Sequence, residues 1–240
     1  MKKRLDRLLA ERGLAHSREE AQALIMAGEV TVNGQKATKP GQAVEDDVAV
    51  QVAARPPFVS RGGIKLAEAL RHFAIDVTGK VCVDIGSSTG GFTDALLQAG
   101  ALRVHAVDVG AGQLAWSLRT NPRVRLHEGI NARTLEPEQI GEPADLVTCD
   151  VSFISVTLVL PAMVKLLHPD GRMVILIKPQ FEVGKGQVGK GGIVRRPELH
   201  QAACARVTAA VHEFGFETDM IESPIAGAEG NREFLLYAHH

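Results

Sequence analysis

Along the first thirty residues the apolar side chains recur at helical spacing. Leu5, Leu8 and Leu9 share one face, and Ala21, Leu24 and Ile25 share another. Gly13 and Gly28 follow these two stripes, where a helix C-terminus favours glycine. Ser17 stands three residues before Glu20, the spacing of a capping box: the hydroxyl accepts from the amide three residues on and the glutamate reaches back. From Val30 the period drops to two. "VTVNGQKAT" predicts a β-hairpin whose Asn33-Gly34 pair suits the positive φ angles of a tight primed turn, and "VAVQV" predicts one more strand. Residues 1–54 thus read as a small α+β domain.

"AARPPFVSRGG", residues 53–63, concentrates proline and arginine, and Pro56-Pro57 stiffens an extended chain, so 55–63 is expected to be an interdomain linker. Over 64–240, strand-like runs (KVCVDIG, VHAVDVG, VRLHEG, ADLVTCDVSF, MVILIK) alternate with helical ones (FTDALLQAG, a stretch near QLAWSLRT, and about 158–167). Such alternation predicts an α/β domain with a parallel sheet between two helical layers. Ligands bind such sheets beyond the carboxyl ends of the strands.

Composition narrows the partners. A chain of 240 residues that is 45% apolar can bury a sizeable core. The start, "MKKRLDRLLAERG", is interrupted by acids before any apolar h-region forms, and "VSFISVTLVLPAMV" falls short of the roughly 18 apolar residues of a spanning helix. No membrane segment is expected, and the cytoplasm is the expected location. Cys82, Cys149 and Cys204 are too scattered for a disulfide framework or a metal site. The net charge of −1 conceals two basic regions. Residues 1–39 carry eight Lys or Arg against five acids, and 178–196 carry five basic residues, one acid and five glycines. An anionic partner is expected to meet them, with Lys2, Lys3, Arg4, Arg7, Arg18 and Arg61 as candidate contacts.

"VCVDIGSSTGGFT" ends the first strand of the larger domain. A dinucleotide site would place G-x-G-x-x-G there; this loop reads Asp84-x-Gly86-x-x-x-Gly90-Gly91. An acid aimed into the crevice repels pyrophosphate and suits a ligand with a cationic amine, such as S-adenosylmethionine. Asp108, with Val109 beside it, ends the next strand, where a carboxylate can bind ribose hydroxyls; Glu128 and Gly129 at the third strand would flank adenine. Ser87, Ser88, Thr89 and Phe92 complete the candidate cofactor loop.

The fourth strand ends Asp150-Val151-Ser152-Phe153, without the prolines of base-amine methyltransferases. Cys149 lies beside Asp150 and should point to the opposite face, which disfavours a thiolate nucleophile. The fifth strand ends in Lys178, a costly place for a lysine without work or partners. A lysine facing a second cation and partly desolvated can accept the proton of a ribose hydroxyl aligned with the sulfonium methyl. Lys65 is the candidate second cation, and Asp150 with Glu233 can hold Lys178 and the hydroxyl in line.

Two resemblances carry further expectations. "RLDxLLAERGLAxSRxxAxxLIxxGxVxVNG" over residues 2–52 resembles the RNA-binding module shared by a small-subunit ribosomal protein, pseudouridine synthases and tyrosyl-tRNA synthetases. Lys65, Asp150, Lys178 and Glu233 resemble the Lys-Asp-Lys-Glu tetrad of FtsJ-like ribose 2′-O-methyltransferases. With "VSRGGxKL", "DIGSSTGGFT", "DVSFIS" and "IKPQFE", the chain resembles the TlyA (hemolysin A) type of rRNA methyltransferases end to end. This implies a Rossmann-like class I S-adenosylmethionine-dependent methyltransferase with an N-terminal RNA-binding domain. It further implies ribosomal RNA or ribosomal subunits as partner and cytidine 2′-hydroxyls as acceptor. No acidic pair is spaced to bind a metal, so none is expected at the site; the sequence does not fix the oligomeric state, and a monomer is the favoured expectation.

Overall fold

The computed structural model describes residues 2–53, 56–227 and 229–240. The chain divides into two compact units, residues 1–56 and 57–240. The smaller contains β1 (Lys2–Arg4), α1 (Leu5–Glu11), α2 (Arg18–Met26), β2 (Val30–Val32), β3 (Gln35–Lys36), β4 (Ala43–Glu45) and β5 (Val50–Val52). Both predicted helical stripes are buried together, with Val30 and Val44 closing their core. Ser17 Oγ accepts from the Glu20 amide at 3.1 Å, while Glu20 accepts from the His16 amide, one residue before the position a capping box returns to. Asn33 and Gly34 turn the β2–β3 hairpin at φ 50° and 77°. One pairing escapes the hydrophobic pattern: β1 runs antiparallel to β4, and its Lys-Lys-Arg sequence shows no apolar alternation.

The larger unit comprises α3 (Gly62–His72), β6 (Val81–Ile85), α4 (Gly91–Gln98), β7 (Arg103–Asp108), α5 (Trp116–Arg119), β8 (Val124–Glu128), α6 (Pro137–Ile140), β9 (Ala144–Cys149), α7 (Leu160–Leu166), β10 (Leu167–Ile177), α8 (Pro179–Glu182), α9 (Pro197–His212), β11 (Glu217–Glu222) and β12 (Phe234–His239). Its seven strands lie in the order β11-β12-β10-β9-β6-β7-β8. The five from β6 to β10 are parallel, whereas β12 is antiparallel to both β10 and β11. The sheet is therefore mixed where the alternation predicted a parallel one. The reason is local: the described residues between 223 and 233 contain no helix, and without a crossover element consecutive strands return antiparallel.

Alternation along the strands supplies two cores. Val83, Ile85, Val147, Cys149 and Ile175 pack with α7 and α9, and Cys82, Val104, Ala106, Val174 and Leu176 pack with α3 and α4. The predicted linker needs correction. Phe58 and Val59 pack on the α3–α4 core, the Val59 amide donates to Asp94 at 2.8 Å, and Gln98 Nε2 donates to the Pro57 carbonyl at 2.9 Å. Residues 57–61 belong to the larger unit because Phe58 brings apolar surface that the core takes up, and α3 already begins at Gly62. Ala54 and Arg55 lie outside the described residues.

Candidate active site

Strand order reverses between β6 and β9, and an open α/β sheet forms its ligand crevice at such a point. Gly86, just past β6, has φ 81°, and a Cβ there would stand 2.5 Å from the Asp150 carbonyl oxygen just past β9. Only glycine lets the two strand ends meet this closely. Above them is a cavity of about 470 Å³ whose wall includes Gly86, Ser88, Asp108, Val109, Asn131 and Asp150. A smaller cavity of about 170 Å³ shares Gly86, Ser88, Asp150 and Ser152 with it and adds Lys65, Ser87, Thr89, Gly91, Phe92 and Lys178.

The four charged candidates form two ion pairs. Lys178 Nζ lies 2.5 Å from Asp150 Oδ1 and donates to Ser152 Oγ at 2.8 Å. Lys65 Nζ lies 2.5 Å from Glu233 Oε2, and both side chains are almost completely buried. Lys65 therefore does not sit on a solvated helix start: α3 turns it inward with Leu66 and Ala69. Glu233 does not hold Lys178, as expected from the sequence, but holds Lys65, because it precedes β12 inside the sheet. Ser152 was missed as a partner of Lys178, although its position two residues after Asp150 is the signal that places both on one side of the chain. Asn131 and Arg133, which line the larger cavity, follow β8 without any recognisable motif.

Four candidate cofactor residues, Asp84, Gly90, Glu128 and Gly129, line neither cavity and are corrected. Asp84 lines neither cavity: its carboxylate is fully buried, accepting from Thr93 Oγ1 at 2.7 Å and Thr148 Oγ1 at 3.1 Å. It sits within β6, one residue short of the strand end, so the pleat turns it into the protein and not toward the crevice. Glu128 accepts from the Gly112 amide at 2.7 Å and pairs with Arg119, leaving Ile130 and Asn131 to form the cavity wall; Gly129 is not in that wall either. Gly90 serves as the left-handed N-cap of α4, against Leu114 and Leu118. Asp108 does line the cavity, its oxygens fixed by the amides of Ser88 and Gly110 at 2.7 Å each. Each carboxylate oxygen keeps a further lone pair for a ligand hydroxyl. Burial pushes the Cys149 thiol far above its ordinary value, so it offers no thiolate, in line with its place in the core behind Asp150.

Burial pushes the Asp84 carboxyl up to about 7, partly offset by the hydroxyls of Thr93 and Thr148. The folded chain then keeps a proton that the unfolded chain releases near 3.8, so this contribution to stability is complete below that pH and is lost as pH rises through 7. Asp84→Asn has no proton to lose. Its stability relative to wild type is expected to rise by about 1.4 kcal/mol per pH unit between about pH 5 and 7, read from urea midpoints. Parallel pH curves for the two proteins would rule out a neutral Asp84.

In the smaller unit the basic residues are unevenly committed. Asp6 is fully buried and accepts from Arg4, Arg18 and Gln22 side chains and the Arg7 amide. The Arg4 guanidinium above all holds its carboxyl well below the usual range. Lys3 pairs with Glu11 at 2.9 Å and Asp46 at 3.0 Å, and Arg7 pairs with Glu11 at 2.8 Å. Arg4 and Arg18 stay half exposed. Lys2 is exposed, and in the larger unit Arg61 donates to the Ala226 carbonyl at 2.6 Å.

Comparison with known proteins joins these observations. The FtsJ-like methyltransferase family matches residues 58–240, and the S4 domain matches residues 3–50. A Mycobacterium tuberculosis protein named 16S/23S rRNA (cytidine-2′-O)-methyltransferase TlyA is 50% identical over 98% of this chain and 88% of its own. Hemolysin A of Brachyspira hyodysenteriae is 42% identical over 98% of both chains. A solved structure from Streptococcus thermophilus that bears the hemolysin name superposes with a TM-score of 0.76 at 43% identity, covering 99% of this chain and 88% of that one. Among the described residues no helix is long and apolar enough to cross a membrane. With an S4 domain ahead of a Rossmann-like FtsJ-like methyltransferase domain, and half its residues shared with a TlyA protein along nearly its whole length, the chain belongs to the TlyA family of FtsJ-like methyltransferases.

Proposed function

We propose that this chain methylates cytidine 2′-hydroxyls of ribosomal RNA, with S-adenosylmethionine as methyl donor. The observation that carries the reading is Lys178, held at 2.5 Å by Asp150 on the cavity it shares with Lys65, beside the larger cavity at the switch point. The larger cavity is of a size that encloses a nucleoside-sized ligand. Its wall suits S-adenosylmethionine: Asp108 offers lone pairs to ribose hydroxyls, Gly86 allows close backbone approach, and Ser87 Oγ, buried without a hydrogen-bond partner among the described residues, faces the adjoining smaller cavity. When bound, S-adenosylmethionine supplies an electrophilic methyl group on a sulfonium.

The chain's own residues do the rest. Lys178 takes the proton of the ribose hydroxyl at Nζ, and Asp150 stabilises the charge that this proton brings. Ser152 fixes the direction of that nitrogen, and Lys65, restrained by Glu233, presents a second N–H donor to the same cavity. Orientation supplies much of the rate, because in-line displacement depends on alignment. The S4 domain binds the RNA, with Arg4 and Arg18 as its phosphate contacts, and the expected setting is the cytoplasm.

The test is transfer of labelled methyl from S-adenosylmethionine to ribosomal subunits and naked rRNA from cells lacking the enzyme. Label at ribose 2′-oxygens of cytidine is expected; label on a base, or on no RNA despite cofactor binding, would overturn the reading.

A further inference from the structure

Two chain segments carry the Lys178–Asp150 pair: residues 150–156, which leave β9, and residues 178–182, which leave β10. They are joined at three places. Lys178 meets Asp150 and Ser152 at one end. In the middle, the Phe153 and Phe181 rings lie 5.4 Å apart, with Phe153 at φ 67° and almost fully exposed. At the far end Glu182, 4% exposed, accepts from Ser155 Oγ at 2.6 Å and from the Val156 amide at 2.8 Å. The Glu182 carbonyl in turn accepts from Arg206 of α9 at 2.7 Å.

We infer that Glu182 is a positioning residue for the methyl-transfer reaction, locking the Asp150 loop onto the segment that begins with Lys178. This deepens the reading above and rests on it. Beyond Cys149 the fourth strand keeps one more ladder bond, from the Asp150 amide to the Ile85 carbonyl at 2.9 Å, and residues 151–155 then form no regular element. The Asp150 backbone is thus fixed on β6, while its carboxylate and the loop beyond it are held by side-chain contacts across to the segment that begins with Lys178. A loop tied at one end alone pivots about that tie; tied at both ends, it keeps the Asp150 carboxylate and Ser152 hydroxyl in register with Nζ. Glu182 supplies the second tie and is costly to bury unless its bonds are made. The α8 turn sets the spacing: Lys178 is its N-cap and Glu182 its last residue, one helical turn apart. A carboxylate there reaches both the side chain and the first amide of the 3₁₀ turn that follows the loop.

The experiment compares the full-length wild type with Glu182→Ala, Glu182→Gln and Ser155→Ala. Glutamine keeps an acceptor for the Val156 amide and can donate to Ser155 Oγ, whose own proton then passes to Thr157 Oγ1 at 2.7 Å. Two readouts are taken well below the melting temperature. In the first, steady-state methyl transfer per folded protein, Glu182→Ala is expected to lose roughly 10²-fold in kcat with KM for S-adenosylmethionine unchanged. Ser155→Ala should lose less, and Glu182→Gln should recover most of the rate. In the second, competitive acetylation of lysines read by mass spectrometry, Lys178 is expected to react several-fold faster in Glu182→Ala and at the wild-type rate in Glu182→Gln, with Lys65 unchanged. A fall in melting temperature with kcat per folded protein and Lys178 labelling both unchanged would overturn the inference. If Glu182→Ala will not fold, Ser155→Ala decides: unchanged kcat and labelling there sink the idea. Should wild type transfer no methyl to rRNA while Lys178 labelling still responds to residue 182, the lock stands and the reaction assignment fails.

Discussion

Lys178→Ala is expected to lower kcat for methyl transfer by about 10²- to 10⁴-fold, the range for losing a general base, and to leave S-adenosylmethionine binding unchanged. The second half of the expectation follows from geometry: Lys178 lines only the smaller cavity, while Asp108, Val109 and Asn131 line the larger one. Lys178→Arg sharpens the test. Arginine keeps the charge next to Asp150 but cannot give up its proton in a protein, so it cannot accept one from a hydroxyl. If Nζ moves a proton, arginine is as inactive as alanine in single-turnover assays. A Lys178→Arg enzyme with most of its activity would reduce Lys178 to an electrostatic clamp.

Lys65→Ala is expected to destabilise the fold by about 3–5 kcal/mol, the cost of leaving a buried charge without its partner. Glu233 is 3% exposed, and its carboxylate is hemmed in by Gly227, where even a Cβ would come within 2.4 Å of Oε1. Replacing both partners by apolar residues of similar volume, Lys65→Met with Glu233→Leu, is expected to restore most of the lost stability, since a buried ion pair adds little net over well-packed hydrocarbon. The double variant is nonetheless expected to be inactive, which separates the pair's role in the site from its role in the fold. Chemical denaturation at fixed pH gives the stability, and labelled transfer gives the activity. A single variant within about 0.5 kcal/mol of wild type, the usual range for surface substitutions, would mean that the pair is not held as described.

Features decided by a few neighbouring residues were readable without coordinates. Asn33-Gly34, the Ser17 cap and the strand-end positions of Asp150 and Lys178 each follow from local chemistry, and adjacent parallel strands brought the last two together. Partners far apart in sequence were not readable in this way. Lys65 and Glu233 are 168 residues apart, and only the placement of β12 next to β10 brings them into contact; periodicity carries no trace of it, and the family tetrad alone put them in one group. Asp84 and Glu128 show a different gap. Both stand near strand ends, yet direction of approach and competing donors decide whether a carboxylate faces a ligand or a neighbour, and Thr93, Thr148 and Arg119 had already claimed them. In the S4 domain, the same competition took Lys3 and Arg7 for Glu11 and left Arg4 and Arg18 arrayed on Asp6.

The position of β12 also sets a timetable. A ribosome delivers this chain from its N-terminus, so the five parallel strands are all available once Ile177 has emerged, but the strand that lies between β10 and β11 comes last, at Phe234–His239. Until then the nascent sheet carries an open edge along β10, the kind of edge that recruits foreign strands. Lys65 waits over the same interval for Glu233. A stalled or truncated product that stops before residue 233 would therefore be sticky along β10 and carry the Lys65 charge without its partner, and the closing of the sheet and the arming of the enzyme become a single late event of synthesis.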